Sequence, residues 1–502
     1  MVITPPRVDS ALIAALRADL VAAAFTVAGV TELLGPMAAA ALDRDLALPA
    51  RRAAVRLDTP AAVLVRLFTL GDPVDTAEVD RALPTLRVVG ALDLGLVATE
   101  GDAVVARCDL RPYAADDVSY WLASDLGELA LGRPLAPDHV LGIGGASATL
   151  ASWTPRTPVS RALDVGTGSG VQAIHLSTHA DHVTATDVSQ RALAYARFNA
   201  ALNGLDWEVS AGSMLEPVQG SEFDLVVSNP PFVITPRSGE VPLFEYRDGG
   251  AAGDAVVENL VRSVGSVLAP GGVAQLLGNW EIVRGTDWTD RITSWLQGTG
   301  LDAWVIQREV QDPAQYAETW ARDGGHHSGT GDFNAMYAAW LDDFEARDVE
   351  GIGFGVITVH RPLADRPVFI DLTEARGPVG APMGPSIAAG LAAREWLCVT
   401  GDDALLDLAW VAGDDVHVER HQLIGADDPS VILLHQGGGL RRTIHLTTVT
   451  AALASVADGE ITAHQAVAAI SGLLELDQDD VRAEVVAFLR DVAKDGLLRP
   501  GV

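Results

Sequence analysis

Lysine occurs once in this chain, at position 494, against 34 arginines, and cysteine only at positions 108 and 398. The lysine shortage reads as a GC-rich coding bias and implies no functional demand. Two cysteines so far apart exclude a disulfide framework and a zinc-ligand cluster. No apolar run reaches the roughly 18 uncharged residues of a membrane span. The start, MVITPPRVDS, lacks the basic and apolar segments of a signal peptide. These absences set the expectation of a soluble, cytoplasmic protein with no membrane partner and no metal. Positive charge is scarce as well: 35 basic against 67 acidic residues leave a net charge of −32. A field of that sign repels nucleic acid, so an RNA substrate requires a local basic patch.

What is present is a chain of 502 residues, 48% hydrophobic and 20% charged, enough for about two to four globular domains. Residues 1–113 read as a helical segment followed by a small module. PAAVLVRLFTL, DTAEVDRAL and LRVVGALD form three helices, and LVAT and AVVARCDL flank a hairpin turn at Glu100-Gly101-Asp102. Three helices and a hairpin resemble a winged helix. Its third helix carries little basic charge besides Arg87, which favours packing or dimerisation over groove reading. Arg44, Arg51, Arg52, Arg56 and Arg66 make the densest basic stretch, and a solvated helix face explains them equally well. Through Tyr113 there are 11 arginines and 14 acidic residues, a net of −3 against −29 for the remainder.

From about residue 160 short apolar strands alternate with helices. RALDVG, HVTATDV, WEVSAG, FDLVVSN, GVAQLLGN, LDAWVIQREV and GIGFGVITVH are the seven strand segments. This alternation predicts an α/β fold with an open, mostly parallel sheet, whose ligands bind outside the strand carboxyl ends. An insertion at about 311–349 separates the last two strands, long enough to be functional or to carry its own helices. Within it, His326-His327 reads as a solvated loop. Beyond about 365 a Pro- and Gly-rich link leads to a region ending in three helices and a short strand, a second winged-helix-like unit. HQGGGLRR near 435–442 reads as a turn, and Trp280, placed after the fifth strand, as core. The resulting division is 1–113, 114–365 and 366–502.

Two strand ends carry chemistry. The first runs into LDVGTGSG, Leu163–Gly170, where alternate glycines permit a tight turn and close backbone approach to a ligand. The second strand ends about 20 residues on in Asp187, whose carboxylate can accept both hydroxyls of a ribose. The fourth ends on Asn229-Pro230-Pro231-Phe232, where proline cannot continue a sheet ladder. Taken together, ALDVGTGSGVQAIHL, VTATDVSQRALAYARFNAALNG and FDLVVSNPPFVI resemble the class I S-adenosylmethionine-dependent methyltransferases. The similarity extends over about 138–362 and is to the amino-methylating NPP[FY] branch, which holds bacterial RNA guanine and adenine N-methyltransferases and release-factor glutamine methyltransferases.

That resemblance implies a seven-stranded Rossmann-like domain flanked by the two winged-helix-like ends. It implies S-adenosyl-L-methionine as cofactor, with Asp164, Gly166, Thr167, Gly168 and Gly170 at its methionine end. Asp187 and Val188 would lie at its ribose, Ser213 and Met214 near its adenine, and Asn229 at its methyl group. GIGGASATLASW, Gly142–Trp153, resembles the segment that covers the cofactor in bacterial RNA amino-methyltransferases. Many relatives place an acidic residue where this chain has Gly212-Ser213-Met214, which leaves the adenine contact of Ser213 open.

The catalytic candidates are Asn229, Pro230, Pro231 and Phe232. A planar amino or amide nitrogen is a poor nucleophile because its lone pair is delocalised. If the Asn229 side-chain oxygen and the Pro230 carbonyl each accept one N–H, the lone pair is left facing the methyl donor. Phe232 offers a flat face for stacking, and Pro230 has no N–H to compete. Neither a metal nor a nucleophilic cysteine is required. The motif leaves three acceptors open: an RNA base, favoured by Phe232 where glutamine methyltransferases carry tyrosine; a protein glutamine, favoured by YRDGGAAGDAVVENLVRSVGSVLAPGG; and a small-molecule amine. A non-catalytic module that senses the cofactor is the alternative of a different class, and the intact NPPF opposes it.

Overall fold

The computed structural model describes residues 4–132, 135–237, 243–323 and 330–501. His326 and His327 lie outside them. The chain divides into two compact units. The first contains residues 1–151, 158–299 and 309–361, and the second residues 152–157, 300–308 and 362–502.

The first unit is built on six strands: β1 (Val159–Val165), β2 (Ala180–Asp187), β3 (Trp207–Ala211), β4 (Phe223–Ser228), β5 (Leu268–Val283) and β6 (Val349–His360). They lie side by side in the order β3-β2-β1-β4-β5-β6. All neighbours are parallel except β5 and β6. The central strands are buried on both faces: Ala162–Val165 and Leu225–Ser228 are hidden, as helix-covered parallel strands must be. β1 is followed by β2 on one side but pairs with β4 on the other, so the order in which the chain adds parallel strands reverses between them. Their register sets Val165 beside Ser228, which brings the Gly166–Gly170 turn next to Asn229 at the crevice where open α/β sheets bind ligands.

All seven expected segments are strands. The seventh, Asp302–Gln311, lies mostly in the second unit. Two readings need correction. Trp280 is inside β5 and not after it. β5 continues to Val283 because the antiparallel β6 pairs with it along its whole outer length, from Val273 opposite His360 to Val283 opposite Val349. Trp280 is fully buried and stacks on Trp288 with centroids 5.6 Å apart. The link after 365 is also more regular than its prolines suggested. Ile370–Glu374 is a strand, parallel to Ala303–Gln307, and it contains no proline.

The N-terminal helices have the expected form. Thr76–Ala82 and Arg87–Leu94 precede the hairpin Val97–Glu100/Ala103–Ala106, and Gly95 in the left-handed region stops the second helix. Their core extends to Tyr195, Phe198 and Leu202 of the helix Gln190–Asn203. A further hairpin, Asp109–Ala115/Val118–Ser124, was not anticipated, and residue 113 lies inside its first strand.

The second unit ends in the three expected helices, Thr448–Ser455, Ala463–Leu474 and Gln478–Ala493, and the strand Leu498–Pro500. Thr447 and Thr462 cap the first two with reciprocal side-chain bonds. HQGGGLRR is the turn between strands Val431–Gln436 and Thr443–His445 of a three-stranded meander. Among the described residues no single helix is long and apolar enough to cross a membrane.

Candidate active site

Two loops meet at the switch point. The first, Gly166–Gly170, turns tightly because Gly166, Gly168 and Gly170 all have positive φ, +72°, +57° and +93°. Nothing lies within 4 Å of where a Cβ would stand on Gly166 or Gly168, so the turn is open above its backbone. Gly170 is closed: a Cβ there would meet the Trp207 ring at 2.7 Å.

Aspartates hold this turn from both sides. Asp164 is buried, and its carboxylate accepts Thr167 Oγ1–H at 2.7 Å and the Ala173 N–H at 3.1 Å. Burial pushes its carboxyl up to about 7, against the pull of those donors and with the Asp187 charge adding to the rise. Asp187 accepts the Gly168 N–H at 2.9 Å and the Ser189 N–H at 2.8 Å. Burial lifts its carboxyl above the ordinary carboxylate range too, with the backbone donors opposing. Asp164 therefore supports the turn from beneath, and half-buried Asp187 stands at its open side. Val188 is exposed and Ser213 is at the surface, while Met214 takes a left-handed conformation at φ +47°. The expected covering segment is tied to the turn: Ser169 Oγ–H donates to the Leu141 carbonyl and Gln172 to the Ser147 carbonyl, both at 2.8 Å.

The second loop starts as β4 ends. Ser228 is buried and bonds the Val165 carbonyl at 2.8 Å, fastening the two strand ends together. Then comes Asn229, whose Oδ1 is buried without a hydrogen-bond partner. A buried acceptor left unpaired costs about 1–3 kcal/mol. Pro230 is buried, and Phe232 is half-buried with its ring edge-on to Trp320, centroids 6.3 Å apart.

Sequence reasoning missed what fixes this loop. The insertion carries two helices, Pro313–Asp323 and Gly331–Ala346. Tyr316 Oη accepts the Ile234 N–H at 2.8 Å and the Asn279 side-chain N–H at 2.8 Å, and Trp340 donates to the Ile234 carbonyl at 2.7 Å. Val233 and Ile234 share an apolar core with Tyr316, Phe333 and Trp340. From the other side, Val233 N–H bonds the Arg247 carbonyl and Phe232 bridges Asp248. The available signal was Tyr316 and Trp320, aromatics one helical turn apart in a segment otherwise rich in polar residues.

Residues 142–283, which hold both loops, match the methyltransferase small domain. Residues 22–107 match a domain of unknown function, DUF7059. This chain is 40% identical over 129 residues to a release factor glutamine methyltransferase of Deinococcus radiodurans, covering 24% of this chain and 46% of that one. It is 34% identical over 137 residues to a ribosomal RNA small subunit methyltransferase C of Salmonella arizonae, covering 27% and 35%. The chain thus spans less than half the length of these curated relatives. A solved methyltransferase from Pyrococcus furiosus aligns over 43% of this chain and 80% of its own, at 17% identity and a TM-score of 0.26, too low to add to the fold already described.

The family is one of S-adenosylmethionine-dependent methyltransferases, and the residues present fit that cofactor. The methyltransferase small domain offers open space above Gly166 and Gly168, a carboxylate at the end of β2, and an unpaired acceptor at Asn229 within one crevice. Among the described residues no group of three or more acidic, histidine or cysteine side chains is placed to hold a metal.

Proposed function

We propose that this chain transfers a methyl group to a planar amino or amide nitrogen, with Asn229–Phe232 as the acceptor site. The buried, unpartnered Asn229 Oδ1 carries the reading. S-adenosylmethionine, held by Gly166, Thr167, Gly168, Gly170 and Asp187 with Val188, Ser213 and Met214 beside it, supplies an electrophilic methyl group when bound. Asn229 Oδ1 and the Pro230 carbonyl each accept one N–H of the substrate. This orients the nitrogen lone pair and removes the entropic cost of alignment. Phe232, braced by Trp320, stacks on the planar group. The proton left on the nitrogen after transfer departs to solvent, and no general base is needed.

An RNA base is the preferred acceptor and a protein glutamine the alternative, in keeping with the names of the two relatives. Residues 1–113 and 366–502 are read as winged-helix-like modules that choose the substrate around a catalytic domain of 114–365, in the cytoplasm. The test is incubation with methyl-labelled cofactor and cell extract, followed by separate nuclease and protease treatment. Label sensitive to nuclease assigns RNA, and label sensitive only to protease assigns protein. Label that survives both in a low-mass fraction, or no label above an Asn229→Ala control, overturns the macromolecular reading or the activity respectively.

A further inference from the structure

Within the first unit an open cleft of about 520 Å³ lies against the 109–124 hairpin and residues 139–143. That volume suits a side-chain-sized or small-molecule ligand. Its described lining holds five carboxylates against two arginines, Arg111 and Arg322, with burial pulling His139 below its ordinary value towards the neutral form. Two of these carboxylates are already engaged. Asp125 accepts from Arg191, Tyr195 and the Val140 N–H, and Asp323 accepts from Arg247.

Asp109 differs. Its side chain is 6% exposed, one oxygen takes the Arg111 Nε–H at 2.6 Å, and the other, Oδ1, is buried with no partner. A buried carboxylate satisfied on one oxygen alone is costly. Burial accordingly pushes its carboxyl up to about 6, with Arg111 pulling the other way. The cleft borders the cofactor turn, since its lining residue Leu141 accepts the Ser169 hydroxyl.

We propose that this cleft binds a cationic nitrogen, an alkylammonium or guanidinium group, with Asp109 Oδ1 as its acceptor. That the cation belongs to the methyl acceptor rests on the function proposed above. A phosphate backbone would meet carboxylates here, so of the acceptors named above this cleft counts against the RNA base and for the alternative, a protein glutamine with a basic side chain next to the methylated nitrogen.

The test is calorimetric titration of the full chain with argininamide and with its neutral isostere citrullinamide, neither requiring turnover. Argininamide is expected to bind saturably, and citrullinamide to bind at least tenfold more weakly. Asp109→Asn should lower argininamide affinity at least tenfold while the melting curve shows a folded chain. If that variant does not fold, Ile143→Arg serves instead. Ile143 lines the cleft and is 39% exposed, and a cation there should cause a similar loss. The proposal is overturned by no saturable argininamide binding, by equal binding of the two amides, by unchanged affinity in folded Asp109→Asn, or by a short RNA that argininamide displaces from the cleft. A chain that binds argininamide through Asp109 yet transfers no methyl group keeps this site and loses the proposed function.

Discussion

The turn at Gly166–Gly170 and the loop at Asn229–Phe232 sit side by side at the same sheet edge and differ in how they use their polar groups. In the turn, both aspartates bind the chain itself: Asp164 holds Thr167 and Ala173, Asp187 holds Gly168 and Ser189. In the loop, the one side-chain acceptor is left open. A saturated turn keeps a constant shape for a constant ligand, whereas an open acceptor awaits a group that arrives and leaves. On the proposed function, the difference separates residues that build the site from the residue proposed to meet the substrate.

Mutations should follow that division. The largest effect expected is on turnover. Asn229→Ala removes one positioned acceptor and should slow methyl transfer about 10²- to 10³-fold with little change in the melting temperature. Unchanged turnover on the identified substrate would take Asn229 out of the chemistry. In the turn the loss should instead be structural. Gly170→Ala drives a Cβ towards the Trp207 ring at 2.7 Å with φ at +93°, and should cost about 2–4 kcal/mol of stability, read from a denaturant midpoint.

The aspartate beneath the turn gives a pH test. Unfolded, its carboxyl ionises near pH 4, whereas in the fold burial holds it to about 7. The native chain therefore keeps an extra proton between about pH 4 and 7, and the Asp164 contribution to stability falls as pH rises through that window. Asp164→Asn should flatten this part of the profile, so the melting temperature of the variant relative to the parent should rise from pH 5 to pH 8. A difference that shrinks over that range contradicts the assignment. The smallest effect belongs to exposed Val188. Val188→Ala should change stability by under about 0.5 kcal/mol, and a cofactor affinity weakened a few-fold would distinguish a ligand contact from bare surface.

Legibility in the sequence followed the locality of the forces. The six strands of the sheet, the glycine turn and the proline-ended loop were readable because apolar runs, positive-φ glycines and proline act over a few neighbouring residues. Trp280 was assigned correctly to the core but misplaced beyond its strand, since the length of β5 is set by its partner β6, about 80 residues away in the chain. Ile370–Glu374 was hidden by flanking prolines that do not enter the strand. Tyr316 and Trp340 were invisible as supports of the loop because their partners at Ile234 are 82 and 106 residues distant. Asp109 was unremarkable for the same reason: its missing partner is a property of the folded surroundings.

The dependence of the Val233–Ile234 segment on Tyr316 also bears on how the protein is made. A ribosome adding about 5–20 residues per second needs about 4–16 seconds to pass from Ile234 to Tyr316. Through that interval the strands before the loop have been synthesised while the hydroxyl that receives the Ile234 N–H does not yet exist. The nascent chain then displays Val233 and Ile234, apolar residues that end up buried, without the helices that will hide them. A synonymous change that slows decoding between codons 235 and 316 lengthens this exposure without altering a single residue.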